Sequence, residues 1–326
     1  ASPFRSKGTP GVAVLDYDND GDLDVYVTNG PGRANSLYKN LLVESGNLTF
    51  QDVGSAAGVG ADDQDSTGVC YGDIDNDGDE DIYVLGRSEN NRLFRNDGNG
   101  SFTNITAAGQ IGGGAYGHSS CAFGDIDGDG FLDIAIANSF DSSKMDAIYN
   151  EPFGFNHPNQ LFRNQGNNTF QDVSASSGIL NVGLVPPGSS TISWSITLVD
   201  YDGDGDLDLM HADDQAAMPP PALQGIPRGF MQLYQNDGAG HFTNVNQQSG
   251  LTPVAAFMGQ SWADFNCDGN LDFFATNQGD HVLPHMGFPV PPGNDGSRWF
   301  VGLGAPDHKF RDVYDPAAPT PLPVTP

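Results

Sequence analysis

Residues 16–24 read DYDNDGDLD, and this stretch decides the fold. Its pattern, D-x-D-x-D-G-x-x-D, returns as DIDNDGDED at 73–81, DIDGDGFLD at 125–133 and DYDGDGDLD at 200–208. A weaker copy, DFNCDGNLD, stands at 264–272. First Asp to first Asp, the spacings are 57, 52, 75 and 64 residues. A motif that recurs at a period of this size marks a chain built from copies of one supersecondary unit.

Each copy has the same surroundings. A short apolar segment precedes it: VAVL at 12–15, VCYG at 69–72, CAFG at 121–124, ITLV at 196–199 and SWA at 261–263. An alternating run follows it, as in Leu23-Asp24-Val25-Tyr26-Val27 and Leu132-Asp133-Ile134-Ala135-Ile136. Period-two alternation with β-branched residues is a strand signal, so the Asp-rich loop is the turn of a β-hairpin. A second motif comes next: NSLYKN at 35–40, NRLFRN at 91–96, NQLFRN at 159–164 and MQLYQN at 231–236, with a trace in SRWFVG at 297–302. A Gly/Asn turn then leads to LTFQDV at 48–53, SFTNIT at 101–106, TFQDVS at 169–174, HFTNVN at 241–246 and KFRDVY at 309–314.

One repeat is therefore four short antiparallel strands, which is the blade of a propeller. The expected fold is all-β, a five-bladed β-propeller with an Asp hairpin between strands 1 and 2 of each blade. The blades are expected at about 11–60, 61–111, 112–182, 183–252 and 253–314, between an N-terminal tail, 1–10, and a Pro-rich C-terminal tail, 315–326.

These motifs resemble the FG-GAP/VCBS repeat family, whose best-known members are the calcium-binding propellers of integrin α subunits. The N-x-L-[YF]-x-N half and the GDIDNDGD hairpin are similar to the bacterial secreted branch near UnbV and to the cartilage acidic proteins. The resemblance runs from residue 11 to residue 314 and departs in blade number, since many members have seven. Two readings follow, a true five-bladed ring or a fragment of a larger propeller, and the complete strand set in every copy favours the ring.

The loop chemistry fits Ca²⁺, which takes six to eight oxygen ligands in a flexible cage. Alternate residues of a tight loop point inward, so positions 1, 3 and 5 supply side chains and Gly at position 6 permits the turn. Position 7 offers its backbone carbonyl and position 9 a last carboxylate. The expected ligand sets are Asp16, Asp18, Asp20, Asp22 and Asp24; Asp73, Asp75, Asp77, Asp79 and Asp81; Asp125, Asp127, Asp129, Phe131 and Asp133; Asp200, Asp202, Asp204, Asp206 and Asp208; and Asp264, Asn266, Asp268, Asn270 and Asp272. Phe131 could contribute only through its backbone. An EF-hand would need a bidentate Glu at position 12, where this chain has Val27, Val84, Ile136, His211 or Ala275. Zn²⁺ would call for His or Cys, and Mg²⁺ suits an all-protein cage less well. About five ions are expected, one per blade, with the Asn-substituted fifth site the weakest.

Composition agrees. Of 42 acidic residues in this 326-residue chain only Glu44, Glu80, Glu89 and Glu151 are Glu, which leaves 38 Asp. Asp is a poor helix former and a good turn residue and hard-cation ligand. The formal net charge of −29 repels nucleic acid and anionic membrane surfaces. No apolar run approaches a membrane span. The chain begins with Ala1 rather than Met, which suits a processed or trimmed product.

Blades 3, 4 and 5 carry long connections at about 139–158, 212–229 and 278–297. These gather Phe140, Tyr149, Phe153, Phe155, His157, Phe230, His281, His285 and Phe288 on the face opposite the Asp hairpins, either as a binding surface or as rim packing. The His spacing fits no ligand signature, and no nucleophile elbow or carboxylate dyad stands out, so no catalytic residue is assigned. Trp194 and Trp262 are expected in the core, and Trp299 sits beside an insertion. Cys70 and Cys121 have opposite parity in neighbouring inner strands, which leaves a disulfide or two buried thiols; Cys267 is expected to be unpaired. Sequons occur at Asn47, Asn99, Asn104 and Asn167, at exposed turns where glycans are tolerated. The expected function is a secreted, extracellular adhesion or structural module, non-catalytic, with a protein or glycan partner or other copies of itself. Head-to-tail fibrils joined through the tails are one form of it, a lectin-like face the alternative, and a lyase or dehydratase a more distant one.

Overall fold

The computed structural model describes residues 10–30, 32–139, 157–183, 192–214, 229–277 and 296–313. They form five four-stranded antiparallel sheets, a β-propeller-like arrangement in which each sheet runs in simple meander order. Sheet one holds β1 (Val12–Leu15), β2 (Asp24–Val27), β3 (Ser36–Asn40) and β4 (Phe50–Asp52), and sheet two β5 (Ser66–Gly72), β6 (Asp81–Gly86), β7 (Arg92–Asn96) and β8 (Phe102–Asn104). Sheet three holds β9 (His118–Gly124), β10 (Asp133–Asn138), β11 (Gln160–Asn164) and β12 (Phe170–Asp172). Sheet four holds β13 (Ile192–Val199), β14 (Asp208–Asp214), β15 (Met231–Asn236) and β16 (Phe242–Asn244), and sheet five β17 (Phe257–Ala263), β18 (Asp272–Asn277), β19 (Arg298–Gly302) and β20 (Phe310–Asp312).

The register repeats as well as the order. Val14 pairs with Val25 and Val25 with Tyr38, just as Tyr71 pairs with Ile82 and Ile82 with Phe94. Successive side chains on a strand point to opposite faces, so each sheet has two apolar faces and buries them against its neighbours. Four cores result, one at each junction of consecutive sheets. Between sheets one and two, for example, Leu15, Tyr26 and Leu37 meet Ile82, Val84 and Phe94.

A turn of helix after strand 4 was not expected from the sequence. It spans Gly54–Ala57, Thr106–Gly109, Ser174–Ser177 and Asn246–Ser249 in the first four sheets. Its first side chain caps strand 3: the Leu93, Leu161 and Leu233 amides donate to Thr106 Oγ1, Ser174 Oγ and Asn246 Oδ1 at 2.7–2.9 Å. The apolar residue just past each turn, Val59, Ile111, Ile179 or Leu251, is fully buried.

Cys70 and Cys121 form a disulfide between β5 and β9, with Cα atoms 5.9 Å apart. Their opposite parity turns Cys70 toward sheet three and Cys121 toward sheet two, both inside the core they share. Cys267 is exposed and unbonded.

No core cluster among the described residues joins sheet five to sheet one. The residues that would form that joint are exposed, Val12, Val14 and Phe50 on one side and Phe265 on the other.

Candidate metal centre

Each Asp-rich loop connects strand 1 to strand 2 and is folded by its own carboxylates. Asp at position 1 accepts the amides of positions 5 and 6: Asp16 takes Asp20 N–H at 3.1 Å and Gly21 N–H at 3.0 Å, and Asp73, Asp125, Asp200 and Asp264 repeat the pair. The position-6 glycine lies in the left-handed region, at φ 94° for Gly21 and 88° for Gly130, which a side chain would strain. Position 4 is also left-handed, as Asn19, Asn76, Gly128, Gly203 or Cys267.

Position 9 is a lock. Asp133 is fully buried, and its carboxylate accepts Ile126 N–H at 2.9 Å and Asn164 N–H at 2.7 Å. It thus ties the loop to the end of strand 3. Asp24, Asp81, Asp208 and Asp272 do the same in their sheets.

Positions 1, 3 and 9 converge. Carboxylate oxygens of Asp16, Asp18 and Asp24 lie within 4.8 Å of one another, as do those of Asp73, Asp75 and Asp81, of Asp125, Asp127 and Asp133, and of Asp200, Asp202 and Asp208. Asp18, Asp20 and Glu44 make a further group beside the first. In all four loops the same atom is buried without a hydrogen-bond partner: Oδ1 of Asp18, Asp75, Asp127 and Asp202. An unpartnered buried carboxylate oxygen is costly unless a cation meets it, so the donor set fits an oxygen-seeking ion.

The other oxygen of position 3 is held from strand 3 or from the next sheet. Lys39 reaches Asp18, Arg163 Nε lies 2.5 Å from Asp127 Oδ2, Gln235 Nε2 donates to Asp202 at 2.7 Å, and Asn168 Nδ2 to Asp75 at 3.1 Å. This task of the residue before the closing Asn of N-x-L-[YF]-x-N was missed from sequence, although Lys39, Arg95, Arg163 and Gln235 share that position. Arg95 is the exception and pairs with Asp97 at 2.9 Å.

Other expected ligands fall outside these groupings. Asp77, Asp129, Asp204 and Asp268 at position 5 belong to none, and neither do the position-7 residues Asp22, Asp79, Phe131, Asp206 and Asn270. Position 7 has other work: Asp22 Oδ2 accepts Val43 N–H at 2.9 Å, and Asp79 Oδ1 accepts Asn19 Nδ2 at 2.7 Å. In the fifth loop Asn266 replaces the position-3 carboxylate, turns to Asp268 at 2.9 Å, and no acidic grouping forms.

Burial, reinforced by the loop's own like charges, pushes Asp24 up to about 6 and Asp81, Asp133 and Asp208 up to about 7, from an ordinary value of 3.8. Asp79, Asp127, Asp202 and Asp272 are raised for the same reasons. Between pH 3.8 and about 7 the folded, metal-free protein holds protons that the unfolded chain lacks, so its stability rises as pH falls and is lost as pH climbs through 7. In EGTA, urea midpoints are expected to be higher at pH 5.5 than at pH 7.5. With millimolar Ca²⁺ the order should reverse, because protons compete with the ion for the same oxygens. Equal midpoints at both pH values in EGTA would refute the burial argument.

Of the loop-face residues, Phe230 is buried core. His157 Nδ1 accepts Gly117 N–H at 2.8 Å and its ring stacks on Tyr116 at 4.5 Å. Phe140, Tyr149, Phe153, Phe155, His281, His285, Phe288 and the 315–326 tail lie outside the described residues. Trp262 packs on Phe273 at 4.8 Å in the core, whereas Trp194 is partly buried and donates to Asp214 at 3.1 Å. Asn47, Asn99, Asn104 and Asn167 are all exposed.

The chain is 27% identical over 285 residues to cartilage acidic protein 1 of Xenopus tropicalis, covering 84% of this chain and 41% of that protein. It is 23% identical over 336 residues to cartilage acidic protein 1 of Mus musculus, covering 82% and 48%. It thus spans less than half the length of these relatives. Among solved structures it is similar to an Agrocybe aegerita lectin that recognises non-reducing terminal N-acetylglucosamine, with a TM-score of 0.46, 18% identity, and 93% and 65% of the two chains covered. It is likewise similar to the biofilm matrix protein Bap1 of V. cholerae, with a TM-score of 0.46, 16% identity, and 93% and 38% covered. The model of the FG-GAP-like repeat matches residues 16–84, 73–136 and 143–211, more than half of the chain, and the chain belongs to that family.

Proposed function

We propose that this protein is an extracellular calcium-binding module whose hairpins between strands 1 and 2 hold Ca²⁺, and which works by binding rather than by catalysis. The carrying observation is the convergence of positions 1, 3 and 9 in four loops, each with the same position-3 oxygen left without a partner. Asp at positions 1, 3, 5 and 9 would hold the ion together with the carbonyl of position 7. The bound ion would supply charge neutralisation, drawing together carboxylates that otherwise repel. The Cys70–Cys121 disulfide and the four exposed sequons support an oxidising, extracellular setting and a glycoprotein. Among the described residues no helix is long and apolar enough to cross a membrane. The partner such a module meets is a protein or a glycan, in a role of adhesion or structure.

Calorimetric titration of the chelated protein with CaCl₂ tests this. Four ions are expected to bind at sub-millimolar to millimolar concentration, the range of extracellular modules at about 10⁻⁴–10⁻³ M. A fifth should bind at least about tenfold more weakly, since neutral Asn266 and Asn270 remove two charges from its loop. Saturation at 10 mM Ca²⁺ with no heat and no change in melting would overturn the reading.

A further inference from the structure

The residue before the last of strand 3 holds one position in all five sheets, but its charge differs: Lys39, Arg95, Arg163, Gln235 and Val301. In loops 1 and 3 it is a cation laid across loop positions 3 and 5. Lys39 Nζ contacts Asp18 Oδ2 and lies 3.5 Å from Asp20 Oδ2 and 2.5 Å from Glu44 Oε1. Arg163 Nε lies 2.5 Å from Asp127 Oδ2, and its Nη2 lies 3.8 Å from Asp129 Oδ2. In loops 2 and 4 a neutral amide stands in the same role: Asn168 Nδ2 donates to Asp75 Oδ2 at 3.1 Å and Gln235 Nε2 to Asp202 Oδ2 at 2.7 Å. Arg95 is near enough for its charge to reach Asp75 and Asp81, but Asp97 pairs with it and offsets that charge. In the fifth sheet both positions are uncharged, Asn266 in the loop and Val301 on the strand.

The cation meets only one oxygen of position 3. Oδ1 of Asp18 and of Asp127 stays buried without a partner, so Lys39 and Arg163 stand beside that oxygen rather than on it. Coulomb's law then gives the same charge two opposite effects. With the loop empty, the cation offsets carboxylates that repel one another. With a metal bound, it repels the metal at short range, so it opposes binding. Loop 3 is the extreme case: Phe131 holds position 7, which leaves four Asp in the loop with a guanidinium against them.

We propose that Lys39 and Arg163 are tethered counter-ions: each keeps its loop folded when calcium is scarce and, by the same charge, weakens calcium binding there, with loop 3 the weakest of the four. This rests on the calcium reading above and adds to it which residues grade the sites.

The test is calcium titration against a chromophoric chelator, with melting in EGTA measured on the same proteins. It is run at pH 8, above the ordinary imidazole range, because His308 also acts on Asp202. Lys39→Gln and Arg163→Gln are each expected to tighten one of the four ions about fivefold, the effect of one screened charge. Arg163→Gln should act on the last of the four to bind. Both variants should melt lower in EGTA. Loss of a side chain that only packs would weaken binding and lower melting together, so tighter binding with lower melting distinguishes the counter-ion. Lys39→Arg keeps the charge and should leave the affinity as in wild type. Gln235→Lys places a charge at loop 4 and should loosen one ion about fivefold. Calcium binding that is unchanged or weakened in both Gln variants would overturn this proposal and leave the calcium reading standing. Wild-type protein that binds no calcium would remove that reading, and the proposal with it.

Discussion

In excess EGTA the melting temperature is expected to fall by about 8 °C relative to 5 mM Ca²⁺. The estimate rests on mass action: an ion that binds only the folded state stabilises it by RT ln(1 + [L]/Kd), about 1.4 kcal/mol per site at a tenfold excess over Kd. Four sites give about 5–6 kcal/mol, and at about 2.1 cal/mol/K of unfolding entropy per residue a chain of 326 residues shifts by about 1.5 °C per kcal/mol. The structure says why so much stability is concentrated there. Four groups of converging carboxylates sit in a chain of net charge −29, and burial raises several of them against ionisation. Without the ion the folded state carries that repulsion and an orphaned oxygen in each loop; the unfolded chain hydrates both. The measurement is calorimetric melting with EGTA, with Ca²⁺ restored and with Mg²⁺ in its place. Mg²⁺ should recover little, since it demands tight octahedral geometry and keeps its waters. Melting temperatures within 2 °C across the three conditions would remove calcium from the account of the fold.

Most of the fold was legible because the chain states it five times. The Asp loop, its apolar approach strand and the alternating run after it are local patterns, and local patterns survive in one dimension. The parity of Cys70 and Cys121 placed them on facing surfaces for the same reason. What was not legible depends on contacts between repeats. That each sheet packs on its neighbour is implied by two-faced apolar strands, but how the last stands to the first is an angular property of the whole arrangement, and no residue spells it. Phe50 and Phe265 look in sequence like their buried counterparts; only exposure separates them. The helical turn after strand 4 was hidden because Gly54–Ala57 or Asn246–Ser249 is too short for helical periodicity. In the candidate site, the division of labour within the loop was only partly readable. Position 9 was expected as one ligand among five, whereas its two backbone hydrogen bonds make it first a structural lock.

That division separates two substitutions six residues apart in one loop. Asp133→Ala is expected to cost about 3–5 kcal/mol already in EGTA, because Ile126 N–H and Asn164 N–H, both in the interior, lose their acceptors at about 1–3 kcal/mol each. The damage should spread, since Asn164 is also the residue that bonds across the joint to Ile74 O. Asp127→Ala removes an acceptor only for Asp129 N–H, an amide of the exposed loop rather than of the interior. Its Oδ1 has no partner, and its Oδ2 faces Arg163 on an exposed strand position. In EGTA that loss should stay within about 0.5 kcal/mol, as for a substitution away from buried hydrogen bonds. In 5 mM Ca²⁺ it should cost about 1.4 kcal/mol more, the contribution of one forfeited ion at tenfold excess. Urea midpoints of both variants, each in Ca²⁺ and in EGTA, give the four numbers. If Asp133→Ala is mild in EGTA, position 9 is a ligand and not a lock. If Asp127→Ala is as costly in EGTA as in Ca²⁺, position 3 serves the fold through Arg163 and the ion belongs elsewhere in the loop.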